Sequence, residues 1–254
     1  GTFRVLDNLV TLGRFTQNAG EGSKLIFAIG DSTFNIDGST NSIEGKGGEI
    51  DIESGTIQIS AVIASNNTAI VVRDGAVLQL YAAGLTLPQV TVDQGGTLNV
   101  SRDAVIGKDG DKTNGLTLNG TLNVEGEGGT SATLTVYAYH TNGETASTAK
   151  IYIGNGGTLT FAHLDDASYG IVYGAIEIAN GHLTGYVEGQ LLPVRLTGAQ
   201  IENWIVIDSG TDNRTSDYKP GSKFLVIGNG VMLTVDTDVA ALRAQNGGSL
   251  TMAE

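Results

Sequence analysis

Three local pairs of carboxylates have the residue types and spacing for general acid–base work: Asp51 and Glu53, Asp165 and Asp166, and Asp236 and Asp238. In Asp51-Ile-Glu53 and Asp236-Thr-Asp238 the two-residue period of a strand puts both side chains on one face, directed outward. Carboxyls so placed suit cleavage of a glycosidic bond, which needs them roughly 5 to 9 Å apart. An acidic protein also sets alternating carboxylates on its solvated faces by default, and Arg195, isolated in an apolar strand context, is tied to none of them. His140, His163 and His182 have no neighbours that make a nucleophile–base pair, and neither Gly-x-Ser-x-Gly nor His-Glu-x-x-His occurs. The sequence therefore assigns no catalytic residue and no enzyme activity.

One cluster has the chemistry of a hard-cation site. Lys108 to Gly115 gathers Asp109, Asp111 and Asn114 into a single turn, an oxygen-rich set suited to calcium. It departs from the EF-hand loop, lacking glycine at the sixth position and glutamate at the twelfth, and an ordinary polar turn uses the same residues. Calcium is the one cofactor considered; no other is implied.

The elements that position these residues repeat. A glycine followed by a small or polar residue and then alternating apolar residues recurs as Gly55-Thr-Ile-Gln-Ile59, Gly75-Ala-Val-Leu-Gln-Leu80, Gly96-Thr-Leu-Asn-Val100, Gly120-Thr-Leu-Asn-Val124, Gly157-Thr-Leu-Thr-Phe161, Gly230-Val-Met-Leu-Thr-Val235 and Gly248-Ser-Leu-Thr-Met252, with a variant at Gly181-His-Leu-Thr184. The intervals between these glycines are 20, 21, 24, 37, 24, 49 and 18 residues, with 49 about two periods and 37 one period plus an insertion. A matching half precedes each phrase, as in Ile70-Val-Val-Arg-Asp74, Val90-Thr-Val-Asp-Gln94 and Ile151-Tyr-Ile-Gly-Asn155. The unit is thus strand, Asn/Asp-Gly corner, strand, with the corner residues chosen because they reach positive φ at little cost. An antiparallel meander uses the same corner chemistry. The near-constant return of the whole unit favours a stack, because a repeat that cannot bury its apolar face alone must lie on its neighbours. Leu98, Leu122 and Leu159 are expected in one buried ladder, within roughly ten rungs about 4.8 Å apart.

Composition supports an all-β chain. There are 37 glycines but only 3 prolines, so tight corners are frequent without the proline load of a disordered linker. Hydrophobic residues make up 40% and aromatic ones 6%, which fits an interior of stacked Val, Ile, Leu and Ala. Fourteen Lys and Arg against 27 Asp and Glu give a formal charge of −13, a surface that repels phosphate backbones and anionic headgroups. Nucleic acid is therefore excluded as a partner. No apolar run approaches the roughly 20 residues of a membrane-spanning helix, so direct membrane insertion is not expected either. With no cysteine, thiolate metal sites, redox sites and disulfides are all excluded.

Residues 1–45 lack the regular phrase and read as irregular N-terminal cap strands, with Phe3-Arg-Val-Leu6, Leu9-Val-Thr-Leu12 and Lys24-Leu-Ile-Phe-Ala-Ile29 as apolar segments. Residues 46–254 read as solenoid rungs, with loop insertions near 137–150 and 208–222. Gly95-Gly-Thr-Leu-Asn-Val100, Leu118-Asn-Gly-Thr-Leu-Asn-Val124 and Gly156-Gly-Thr-Leu-Thr-Phe161 resemble the rungs of autotransporter passenger domains and related secreted bacterial β-helix adhesins. The resemblance spans about residues 47 to 252 and implies a single-stranded, right-handed parallel β-helix, extracellular or displayed at the bacterial cell surface. The expected function is structural or adhesive, through other proteins, surface glycans or self-association, without catalysis. The alternatives are a polysaccharide-degrading β-helix enzyme of phage or bacterial origin and a subunit of an extracellular filament.

Overall fold

The protein is a β-solenoid built from parallel strands, seen here in a computed structural model. It describes residues 1–6, 22–45, 47–61, 64–65, 68–140 and 148–162, and the strand backbones of 13–17 and of short segments between 172 and 252. Alternation of apolar and polar residues every second position forms the strands, and the corner residues between them turn the chain onto a new face. Three faces result.

The first face carries the beginnings of the long strands Lys24–Ile36 and Glu49–Ile59, then Ala69–Val72, Gln89–Val92, Leu116–Leu118 and Tyr139–His140. The second face begins with the far ends of the same two long strands. It continues through Val77–Leu80, Thr97–Val100, Thr121–Val124, Lys150–Ile153, Ala175–Ala179, Pro193–Thr197, Met232–Val235 and Ser249–Met252. Among the described residues, ten segments stack there in register. A third face holds Leu85–Leu87, Ala104–Ile106, Ala132–Val136, Gly157–Phe161, His182–Gly185 and Gln200–Ile201. Parallel pairing throughout, with strands of one turn bonded to those of the next, eliminates the meander.

Parallel register stacks like on like, so the interior is a set of ladders. Ile57, Leu78, Leu98, Leu122, Ile151 and Ile176 form one, and Ile59, Leu80, Val100, Val124, Ile153 and Ile178 a second beside it. All of these side chains are buried. Each contributes on the order of 1.5–3 kcal/mol by leaving water, so the turns are held together chiefly by their neighbours.

Two sequence expectations are corrected. Leu159 is buried, but it stacks between Leu134 and Leu183 on the third face, not beneath Leu98 and Leu122. The residue that follows Thr121 by one turn is Lys150, so the phrase led by Gly157 has moved on by one corner. Sequence phase cannot detect that shift, because both faces demand the same inward-outward alternation. Tyr139, expected in a projecting loop, lies fully buried beneath Leu116, its ring edge-on to Phe161 with centroids 5.6 Å apart. A two-residue strand with one inward side chain leaves no periodic signal.

The corner glycines have two distinct duties. In Gly95-Gly96 the first residue takes φ +83°, as expected. The second has no such φ; its Cα faces the preceding turn so closely that a Cβ would lie 2.7 Å from the Val72 carbonyl oxygen and 2.9 Å from that of Arg73. Close backbone approach, more than φ, explains the glycine that leads that phrase.

Candidate functional site

Among the described residues, the titratable groups singled out by sequence do not converge on one site. Asp51 and Glu53 lie on one strand, but a register shift beside them sends each to a different partner. Asp51 is 5% exposed and takes a bidentate contact from Arg73, Nε to Oδ1 at 2.8 Å and Nη2 to Oδ2 at 2.9 Å. Arg73 also donates to Asp93 at 3.0 Å, and Lys24 to Glu49 at 2.6 Å, so the cluster ties four successive turns together. Glu53 instead accepts both guanidinium donors of Arg4, at 2.7 and 2.9 Å. Asp165, Asp166, Asp236, Asp238 and His163 lie outside the described residues. His182 and Arg195 are placed as strand positions, with Arg195 in register with Glu177.

Burial alone opposes ionisation of Asp51, but the Arg73 hydrogen bonds and charge, aided by Lys24, outweigh it and hold the carboxyl below its usual value. A carboxyl lowered in the folded state adds stability above its unfolded pKa of about 3.9 and loses that contribution as pH falls through the folded value. Asp37, lowered to about 2 by N–H groups of Asn41, Ser39 and Thr40, acts in the same direction. Asp51→Asn is therefore expected to lower the urea midpoint at pH 7 and to flatten its decline below about pH 4. A decline as steep as that of the parent protein would rule Asp51 out as a contributor.

In the loop considered for calcium, Asp111 organises the turn. Its Oδ1 accepts from the Thr113 N–H at 2.9 Å, the Thr113 hydroxyl at 2.8 Å and the Asn114 N–H at 3.1 Å, while Oδ2 accepts from Asn114 Nδ2 at 2.8 Å. The Asn114 amide turns a donor toward Asp111, and these bonds hold the Asp111 carboxyl well below the usual carboxylate range. Among the described residues, no three His, Asp or Glu side chains gather as a metal-binding group. His140 continues the outward line of Asp51, Val71, Thr91 and Thr117 on the first face, several turns away from that aspartate. Burial lowers its pKa against the pull of Asp111, and its Nε2 and the Tyr139 hydroxyl are buried without a hydrogen-bond partner among the described residues.

A concave surface lies on the second face. Register places Gln58, Gln79, Asn99, Asn123 and Tyr152 in one outward line, turn after turn. Asn123 Nδ2 donates to Asn99 Oδ1 at 2.8 Å, which leaves Asn99 an amide donor and Asn123 a carbonyl acceptor directed to solvent. Beside this line the chain takes a longer path from the second face to the third, through residues 125–131 against 101–103 in the turn before and 154–156 in the turn after. That loop is closed by Thr130, whose hydroxyl donates to the Glu127 carbonyl at 2.6 Å. It forms one wall of an open groove of about 570 Å³ floored by Gln79, Asn99, Asn123 and Tyr152. Gly154 makes room for it: a Cβ there would come within 2.8 Å of both the Tyr152 ring and the Glu125 carboxyl. Burial, and then the charges of Glu125 and Glu177, raise the Tyr152 pKa, so the phenol stays protonated.

The repeated phrases contain the groove floor, but their alternation alone did not mark the groove. Its signals were the recurring amide before the last apolar residue and the run Glu125-Gly-Glu-Gly-Gly129. The chain matches no protein-family model, no curated protein and no solved structure.

Proposed function

We propose that this is an extracellular bacterial protein, secreted or held at the cell surface, with a structural or adhesive role exercised through binding or self-association and without catalysis. The observation that supports it is the outward amide line of the second face, Gln58, Gln79, Asn99 and Asn123. Uncharged groups capable of both donating and accepting, repeated at a fixed spacing on a rigid stack, make many weak contacts at once, and such contacts multiply into avidity. The best-spaced described carboxylates, Asp51 and Glu53, are engaged by Arg73 and Arg4, which suits a scaffold better than acid–base chemistry. A surface of charge −13 favours solubility outside the cell.

The test pairs two measurements on the purified chain. Incubation with a panel of polysaccharides is expected to release neither reducing ends nor unsaturated products, while the protein is retained on intact cells or self-associates with rising concentration. Catalytic release of products would overturn this reading in favour of a polysaccharide-degrading enzyme.

A further inference from the structure

We infer that the groove on the second face binds an uncharged polysaccharide chain lying along the solenoid axis, an inference that rests on the adhesive reading and gives it a ligand class. Four features of the groove select that class.

The floor is polar but not cationic. Gln79, Asn99 and Asn123 present amides, and among the described residues of the lining the charged side chains are Glu125 and Glu127. Phosphate, uronate and sialate chains need positive partners, and would meet carboxylates instead. Sugar hydroxyls donate and accept at once, and match the Asn99 donor and the Asn123 acceptor left over from their mutual bond.

The spacing is periodic along the axis. Successive turns repeat the amide at the inter-strand distance of about 4.8 Å, so a ligand that repeats in the same direction meets the same chemistry at each step. A polysaccharide repeats in this way, with ring after ring of hydroxyls.

Tyr152 follows Asn123 in the line with a half-buried ring, and Glu177 takes the same register position one turn on. An aromatic face is apolar and its hydroxyl polar, which fits the C–H face of a sugar ring and its flanking oxygens. Gly154 leaves room for that ring and for Glu125.

A peptide suits the groove poorly. Thr97–Val100 is paired on both sides, by Val77–Leu80 and Thr121–Val124, and Thr121–Val124 by Lys150–Ile153 in turn. Among the described residues, no free strand edge is open there for an added strand, and the groove lining is mostly polar rather than an apolar anchor for a side chain.

The test is electrophoresis through native gels that each contain one polymer: a β-glucan, a mannan, a galactan, an arabinoxylan or polygalacturonate. At least one neutral polymer should retard the protein, and polygalacturonate should not. Tyr152→Ala should weaken the neutral interaction about tenfold and Asn123→Ala by a smaller factor, while Thr86→Ala on the third face leaves it intact. Circular dichroism checks folding, and Tyr152→Phe, which keeps the ring, should retain most of the binding. The inference is overturned if no neutral polymer retards the parent protein, if Tyr152→Ala and Asn123→Ala both bind as before, or if polygalacturonate binds equally well. Attachment to cells that persists in both groove variants, without glycan binding, would point to a protein partner and leave the adhesive function standing. Product release from a bound polymer would overturn that function and leave the groove standing.

Discussion

Adding a single methyl group at Gly120 is expected to destabilise the solenoid by at least the upper end of the roughly 1–3 kcal/mol typical of overpacking. A Cβ at Gly120 would run into the carbonyl oxygens of Gly96 and Asp93 in the preceding turn and Cγ1 of Val92. Neither carbonyl is free to rotate away. The Gly96 oxygen accepts from the Thr121 N–H at 2.9 Å, and the Asp93 oxygen from the Gly96 N–H at 2.9 Å. Relief would require the two turns to separate and break that pairing. Gly110→Ala supplies the comparison: its φ is +79°, and nothing lies within 4 Å of the added carbon, so only the left-handed backbone is penalised, by about 1–2 kcal/mol. Urea unfolding followed by circular dichroism should rank Gly120→Ala well below Gly110→Ala in stability. Equal midpoints for the two variants would contradict the close-approach explanation of the leading glycines.

That explanation bears on how far the fold was legible. The repeated glycine phrase is visible because each turn must pass close to the last, and the same constraint recurs at Gly96, Gly120 and Gly157. Inward Leu and Val and outward Thr and Asn follow from the two-residue period, so the buried ladders were readable from the phrases alone. Face assignment was not. Gly96-Thr-Leu-Asn-Val100 and Gly157-Thr-Leu-Thr-Phe161 satisfy one pattern, yet the first lies on the second face and the other on the third. Only pairing across turns distinguishes them, and pairing depends on corner lengths that vary freely.

The site was less legible for a related reason. A groove arises from side chains a whole turn apart in sequence, and Asn99 meets Asn123 across 24 residues. The carboxylates adjacent in sequence attracted attention, yet Arg73, which bonds Asp51 from the next turn, was visible only as part of the strand Ile70-Val-Val-Arg-Asp74. In a stacked fold, chemistry that is local in sequence points along a strand, while chemistry that is local in space runs across strands.

Leu122→Ala is the other substitution with a large expected cost, toward the top of the roughly 2–5 kcal/mol range for burying an alanine where leucine stood. Leu122 is fully buried between Leu98 and Ile151. The size of such a penalty depends on whether the neighbours can close the cavity, and here they cannot do so by moving together along the axis. Both ends of the strand are tied to both adjacent turns: Thr121 N–H to Gly96 and Glu125 N–H to Val100 at 2.9 and 3.1 Å, Lys150 N–H to Gly120 and Gly154 N–H to Val124 at 2.9 Å each. Those bonds fix the distance between turns, so the space left by the three lost carbons stays largely empty. Each turn contacts mainly its neighbours, and the damage should therefore be local. Amide exchange is expected to accelerate in Thr97–Val100, Thr121–Val124 and Lys150–Ile153, while Lys24–Ile36 keeps its protection. A loss below about 1 kcal/mol would show that the ladder can collapse after all, and uniform acceleration along the chain would show that the turns do not unfold as neighbours but as one unit.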